Sequence, residues 1–135
     1  MLVIDASVAV KRLADEPETE AARALLAEPD PLIGPDWIVA EVANALWGKV
    51  GRSELLADRA IEAVAALPQF FQTLHPSEPL VDMAMQMAVD LDHAFYDCLY
   101  LVLAVETGAT LVTADQKFVA ATKGRALPIK LLKAS

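Results

Sequence analysis

Four acids stand out from their surroundings: Asp5, Glu41, Asp97 and Asp115. Asp5 ends the apolar run Met1-Leu-Val-Ile. Glu41 is the only charge from Trp37 to Trp47, and Asp97 is the only charge from Tyr96 to Val105. A helix that is apolar nearly all round is a buried helix. A buried carboxylate is costly unless it is paired or coordinated, and neither stretch offers a basic partner close by. If the acids converge, two carboxylates roughly 5 Å apart repel by roughly 3 kcal/mol at an effective dielectric near 20. Protonation could offset that repulsion, but a bound divalent cation is the more economical answer. Oxygen donors without a histidine or cysteine cluster suit Mg2+ or Mn2+ rather than Zn2+. Taken singly, Asp5 and Asp115 could each simply cap a helix. Glu41 lies in the second turn of its helix, too far in for capping. Asp97 opens its helix, where the dipole favours a carboxylate.

The elements that must position these acids can be read from periodicity and breakers. Residues 2–4 form a short buried strand, and residues 6–12 turn helical at once. A second helix is expected from residue 18 to about residue 28, between Pro17 and Pro29-Asp30-Pro31. Residues 32–34 read as a strand. Asp36 is placed to N-cap a helix over residues 37–47 that Gly48 closes, and Ser53 to N-cap the next, which Pro68 ends. Residues 70–74 are β-like, and residues 80–91 are helical. A helix over residues 96–106 stops at Thr107-Gly108. Residues 110–113 form a strand, residues 116–122 a short helix, and residues 128–131 a last strand. Short buried strands alternating with helices give one α/β domain over residues 1–135 with a mainly parallel sheet. Ligands in such sheets bind beyond the carboxyl ends of the strands, where Asp5 and Asp115 fall.

The chain of 135 residues is 56% hydrophobic, enough for a real core. Its net charge of −8 argues against indiscriminate nucleic-acid binding. No Lys or Arg lies between Arg59 and Lys117. Several basic residues follow an acid closely: Lys11 and Arg12, Lys49 and Arg52, and Lys117. They are either a basic rim around an acidic centre or ordinary surface charges. The single cysteine, Cys98, excludes an internal disulfide and fits a reducing compartment. No apolar run is long enough to span a bilayer, and the expected location is the cytoplasm.

The acids also carry a family resemblance. Val3-Ile-Asp-Ala-Ser7, Ala40-Glu-Val-Ala-Asn-Ala-Leu46, Tyr96-Asp-Cys-Leu-Tyr-Leu-Val-Leu-Ala104 and Val112-Thr-Ala-Asp-Gln-Lys-Phe118 resemble the successive acidic motifs of PIN-domain ribonucleases. The likeness is to VapC toxins of type II toxin–antitoxin pairs. It covers nearly the whole chain. It implies a three-layer α/β/α sandwich with a five-stranded sheet. The implied activity is endoribonuclease hydrolysis dependent on Mg2+ or Mn2+, with a metal-activated water attacking an RNA phosphodiester. It carries the catalytic site onto Asp5, Glu41, Asp97 and Asp115, with Asp5, Asp97 and Asp115 as metal ligands. Ser7 and Thr113 would hydrogen-bond the nearby carboxylates. Asn44, on the face of its helix that carries Glu41, would support the site or touch RNA. The resemblance further implies a cognate antitoxin, a homodimer, and a transfer or ribosomal RNA substrate.

Other residues read more plainly. Asp90 and Asp92 suit a turn, His93 and His75 suit structural or surface positions, and Cys98 suits core packing. Met83, Met85, Met87, Trp37 and Trp47 suit burial. Two other functions compete: a PIN-like binding module without cleavage, and a receiver-like phosphotransfer domain. The second is disfavoured because only one acid follows the first strand.

Overall fold

A computed structural model describes residues 1–14, 19–27 and 30–133. The chain runs β1 (Leu2–Ile4), α1 (Ala6–Leu13), α2 (Thr19–Ala27), β2 (Leu32–Pro35), α3 (Trp37–Gly51), α4 (Ala57–Ala66), β3 (Thr73–His75), α5 (Val81–Leu91), α6 (Phe95–Thr107), β4 (Thr110–Thr113), α7 (Gln116–Ala121) and β5 (Ile129–Leu131). The residues expected to open and close the second helix, Pro17, Glu18, Glu28 and Pro29, lie outside the described residues.

The five strands pair in the order β3-β2-β1-β4-β5, and every pairing is parallel. The chain therefore moves outward from β1 to β3, then crosses back to β4 through α5 and α6. With right-handed crossovers, α1 to α4 cover one face and α5 to α7 the other. Contacts agree: α1 and α6 both rest on β1 and β4. The result is a three-layer α/β/α sandwich. Its strand order reverses beside β1, the strand that delivers Asp5.

Helix α6 is the spine of the core. Its residues Cys98 to Ala104 are buried without interruption, against the sheet on one side and α5 on the other. Each large aliphatic side chain buried there contributes about 1.5–3 kcal/mol of transfer free energy. Gly108 ends the helix in the left-handed region at φ 72°, where a glycine carries no Cβ penalty. The Cys98 thiol is buried, and desolvation pushes its pKa up to about 11, so it packs as a neutral group.

Helix α3 corrects the expectation of a fully buried helix. Only the stripe Ile38, Val42 and Leu46 is buried, facing α1 and α4. Trp47 is 73% exposed and Trp37 is 38% exposed, so neither tryptophan is a core residue. Met83 and Met85 are likewise exposed, while Met87 packs against the core. Of the two capping expectations, Asp36 stands at the N-cap of α3 but without a side-chain cap bond, and Ser53 does not cap α4. The Asp36 side chain instead accepts from the Ser77 backbone N–H and hydroxyl at 3.1 and 2.6 Å, and Ser77 Oγ in turn accepts from Trp37 N–H at 3.2 Å. The open end of α3 is thus served from across the molecule. Gly48 lies inside α3, which continues to Gly51. Ser53 sits at φ 59°, in the turn that follows, and α4 starts only at Ala57.

Candidate active site

Because all strands are parallel, the residues after β1, β2 and β4 emerge at one edge of the sheet. Asp5 N-caps α1 there, and Asp115 N-caps α7. Helices α3 and α6 begin at the same edge and bring Glu41 and Asp97 towards it. The four acids are one electrostatic group: Asp97 raises the pKa of both Asp5 and Glu41, and Asp115 raises that of Asp97.

Asp5 is 3% exposed. Its Oδ1 accepts from Ser7 Oγ at 2.5 Å and Val8 N–H at 3.2 Å, and its Oδ2 accepts from the Thr113 hydroxyl. A carboxylate offers about four lone-pair sites, so these three bonds leave room for one more partner. Burial still outweighs all three donors, and the pKa rises from 3.8 to about 6. The same two hydroxyls tie β4 to α1. Ala114 N–H donates to Ser7 Oγ at 3.2 Å, and Asp115 N–H donates to Thr113 Oγ1 at 3.1 Å. Ser7 and Thr113 therefore both serve Asp5 directly, and hold the chain around Asp115 through its backbone.

Glu41 is half-buried, and burial raises its pKa. Its Oε1 accepts from the Tyr100 hydroxyl at 2.5 Å. Tyr100 is 1% exposed. Desolvation first, then the Glu41 and Asp5 charges, drive its pKa far up, so the hydroxyl keeps its proton and donates it. The same oxygen is hydrogen-bonded by the Ala6 backbone. Asn44 is exposed on α3, three residues from Glu41.

Asp97 is half-buried, and burial raises its pKa despite a neighbour that opposes the shift. That neighbour is His93, whose Nε2 lies 2.7 Å from Asp97 Oδ2 and 3.8 Å from Asp115 Oδ2. The imidazole is stacked on the Phe118 ring, with centroids 4.4 Å apart and planes at 8°. Of the structural and surface positions expected for His93, the structural one holds, and the neighbour of Asp97 comes from the turn before α6 rather than from the helix itself. Asp115 Oδ1 accepts from Lys117 and Phe118 N–H at 2.9 and 3.2 Å, which leaves Oδ2 on the side of His93.

His93 and Tyr100 are the two site residues the sequence did not single out. Tyr100 carried a signal: a buried tyrosine needs a partner for its hydroxyl, and it lies three residues from Asp97 on one helix face. His93 carried none, because the turn that aims it contains Asp92 in a left-handed conformation at φ 49°.

The donor set fits a hard divalent cation. It is made of carboxylates, with one imidazole at its edge and no thiolate within it. Donor atoms of His93, Asp97 and Asp115 lie within 4.8 Å of one another. Among the described residues, no buried side-chain polar atom lacks a partner, so the cost concentrated here is charge rather than lost hydrogen bonds. The basic rim is not evident in Lys49 and Arg52, which pair with Glu54 beyond the far end of α3. Arg12 lies over the Phe70 ring.

A parallel sheet with four acids gathered at its carboxyl edge is the frame of a PIN domain. The sequence matches that family over residues 2–124, and the chain belongs to it. Within the family it is of the VapC type. It is 30% identical over 118 residues to Ribonuclease VapC3 of Pyrobaculum aerophilum, covering 86% of this chain and 90% of that protein. Solved structures share the fold. Mycobacterium tuberculosis VapC20, described as a sarcin–ricin loop cleaving toxin, superposes with a TM-score of 0.73 at 18% identity, covering 95% of this chain and 100% of that one. VapBC-1 from nontypeable Haemophilus influenzae superposes with a TM-score of 0.64 at 16% identity, covering 97% of each chain.

Proposed function

We propose that this chain is a divalent-cation-dependent endoribonuclease, acting as a single PIN-like domain and as the toxin of a toxin–antitoxin pair. One observation supports this most: a fully buried aspartate, Asp5, shares an edge of the sheet with three further acids, and burial, helped by the Asp97 charge, raises the pKa of Asp5 and Glu41, while burial, helped by the Asp115 charge, raises that of Asp97. Without a cation that arrangement is a cost. Asp5, Asp97 and Asp115 are the carboxylates that would hold Mg2+ or Mn2+. When bound, such a cation supplies a water of lowered pKa and positive charge against the scissile phosphate.

The chain's own groups do the rest. Ser7 and Thr113 fix the Asp5 carboxylate. His93 holds Asp97 by Oδ2 and leaves Oδ1 for ligation. Tyr100 holds Glu41 by Oε1, so Oε2 can accept a proton from the attacking water and aim it in line with the bond to be broken. Hydrolysis then leaves a 5′-phosphate and a 3′-hydroxyl. Asn44, exposed on α3 three residues from Glu41, would support the site or touch the RNA. VapC20 is described as cleaving the sarcin–ricin loop, which supports a structured RNA loop as the substrate class, whether in ribosomal or transfer RNA. The likeness to VapBC-1 supports an antitoxin partner. We place the protein in the cytoplasm as a homodimer. Among the described residues, no helix is long and apolar enough to cross a membrane.

The test is cleavage of total bacterial RNA by purified protein with Mg2+ or Mn2+. Cleavage should stop in EDTA and in Asp5→Asn and Asp97→Asn variants that remain folded. Cutting that continues in EDTA overturns the reading. RNA or antitoxin binding without any cutting favours a binding module instead.

A further inference from the structure

Two aromatic side chains at the mouth of the acidic site are unaccounted for by the chemistry above. Trp37 and Tyr96 stack with ring centroids 5.3 Å apart and planes at 7°. Trp37 opens α3 and Tyr96 is the second residue of α6, both at the carboxyl edge of the sheet. Tyr96 adjoins Asp97, and Trp37 lies four residues before Glu41. The spacing repeats on both helices: Trp37 and Glu41 on α3, Tyr96 and Tyr100 on α6. The two helices thus meet in two rungs. The inner rung is the Tyr100–Glu41 hydrogen bond at 2.5 Å. The outer rung, about one helical turn or ~5 Å away, is the Trp37–Tyr96 stack.

The rungs differ in exposure. Tyr100 is buried, whereas Trp37 is 38% exposed and Tyr96 is 49% exposed. A pair needed only to pin two helices would be expected to bury more of its surface. The pair is also rigidly held from beneath: Phe95 meets Tyr96 edge-on at 5.8 Å and packs against the core, and Ser77 fixes the Trp37 backbone. Rigid, exposed, parallel rings are what an unpaired nucleobase stacks on. The net charge of −8 makes such a surface more necessary, because little general attraction for phosphate is available.

We propose that Trp37 and Tyr96 form a base-stacking platform that seats an unpaired base of the RNA next to the phosphate presented to the acids. This rests on the ribonuclease reading and narrows it: the substrate must present single-stranded RNA at the cut, with a base free to leave its neighbours. Duplex RNA cannot use the platform.

The experiment uses the full chain carrying Trp47→Phe, which leaves Trp37 as the sole tryptophan, and Asp5→Asn, which prevents cleavage. The probe is a mixed-sequence single-stranded oligoribonucleotide, fluorescently labelled, and the same strand annealed to its complement. The single strand should quench Trp37 emission saturably and the duplex should not. Trp37→Leu, followed by anisotropy of the labelled strand, and Tyr96→Leu should each weaken single-strand binding about tenfold, the effect of losing one stacked base. Tyr96→Phe, which keeps the ring, should bind as the parent does. With Asp5 restored, the Leu variants should take up Mn2+ as the parent does while the KM for RNA rises. Unchanged Trp37 emission when anisotropy shows the strand bound, or Leu variants that bind as tightly as the parent, overturns the proposal. If those variants cleave with an unchanged KM, the platform fails and the nuclease reading stands. If no RNA is cut with Mn2+ but the quenching persists, the nuclease reading fails and the platform stands.

Discussion

Asp5 is held in two opposing ways. Three hydrogen bonds fix it and favour its charge, yet burial raises its pKa from 3.8 to about 6. The folded, metal-free protein thus binds this proton more tightly than the unfolded chain does. A raised folded pKa gives a stability contribution that is full below the unfolded value and lost as pH rises through the folded one. The window here runs from about 4 to about 6, and the loss at neutral pH is about 3 kcal/mol. Glu41 and Asp97 are shifted in the same direction. In EDTA, the wild-type protein should therefore lose stability between pH 5 and pH 7.5. Asp5→Asn removes the charge and keeps the acceptor for Ser7 and Val8. It should stabilise the metal-free protein at pH 7.5 by about 1–3 kcal/mol and by much less at pH 5. Urea denaturation at the two pH values checks this. Equal stabilities of variant and wild type at pH 7.5 would count against the buried charge as the source of the cost.

At the scale of elements, the site is a meeting of helix starts. α1, α3, α6 and α7 all begin at the carboxyl edge of the sheet. His93 joins two of them: it hydrogen-bonds Asp97 in the first turn of α6 and stacks on Phe118 in the first turn of α7. Removing that link should loosen the spacing of Asp97 and Asp115. His93→Leu should weaken Mn2+ binding about tenfold, as loss of groups that orient metal ligands does, while His93→Gln, which keeps a donor, should lose less. Calorimetric titration of each variant decides it, and unchanged affinity in His93→Leu would make the residue a packing group. Such links mark where sequence reading stops. The four acids were legible because each is a charge placed against an apolar run. The strands were legible from their short buried runs, and the parallel sheet from their alternation with helices. The turn that aims His93, and the pairing of Asp36 with Ser77 forty-one residues away, depend on chain path rather than local pattern. Exposure of Trp37 and Trp47 was misread for a related reason. Hydrophobicity alone does not say which stripe of α3 faces the core, and only Ile38, Val42 and Leu46 do.

For the molecule as a whole, the acidic edge couples folding to cation binding. The net charge is −8, and four of the acids share one edge of the sheet. A ligand that binds only the folded state stabilises it by RT ln(1 + [L]/Kd), about 2.7 kcal/mol at a hundredfold excess over Kd. The carboxylates must be ionised to ligate, so protons compete with the cation. With Asp5 titrating at about 6, added Mn2+ should do little at pH 5. At pH 7.5 it should raise the midpoint of thermal unfolding, and go on raising it with the logarithm of the Mn2+ concentration above Kd. The cation thereby offsets at neutral pH the cost of burying charged carboxylates that makes the metal-free protein weaker there. Asp5→Asn should abolish most of this response, even though it makes the metal-free protein more stable. The two effects of one substitution run in opposite directions, which separates a binding role from a folding role. A midpoint that rises equally with Mn2+ in wild type and Asp5→Asn would place the cation elsewhere on the acidic surface.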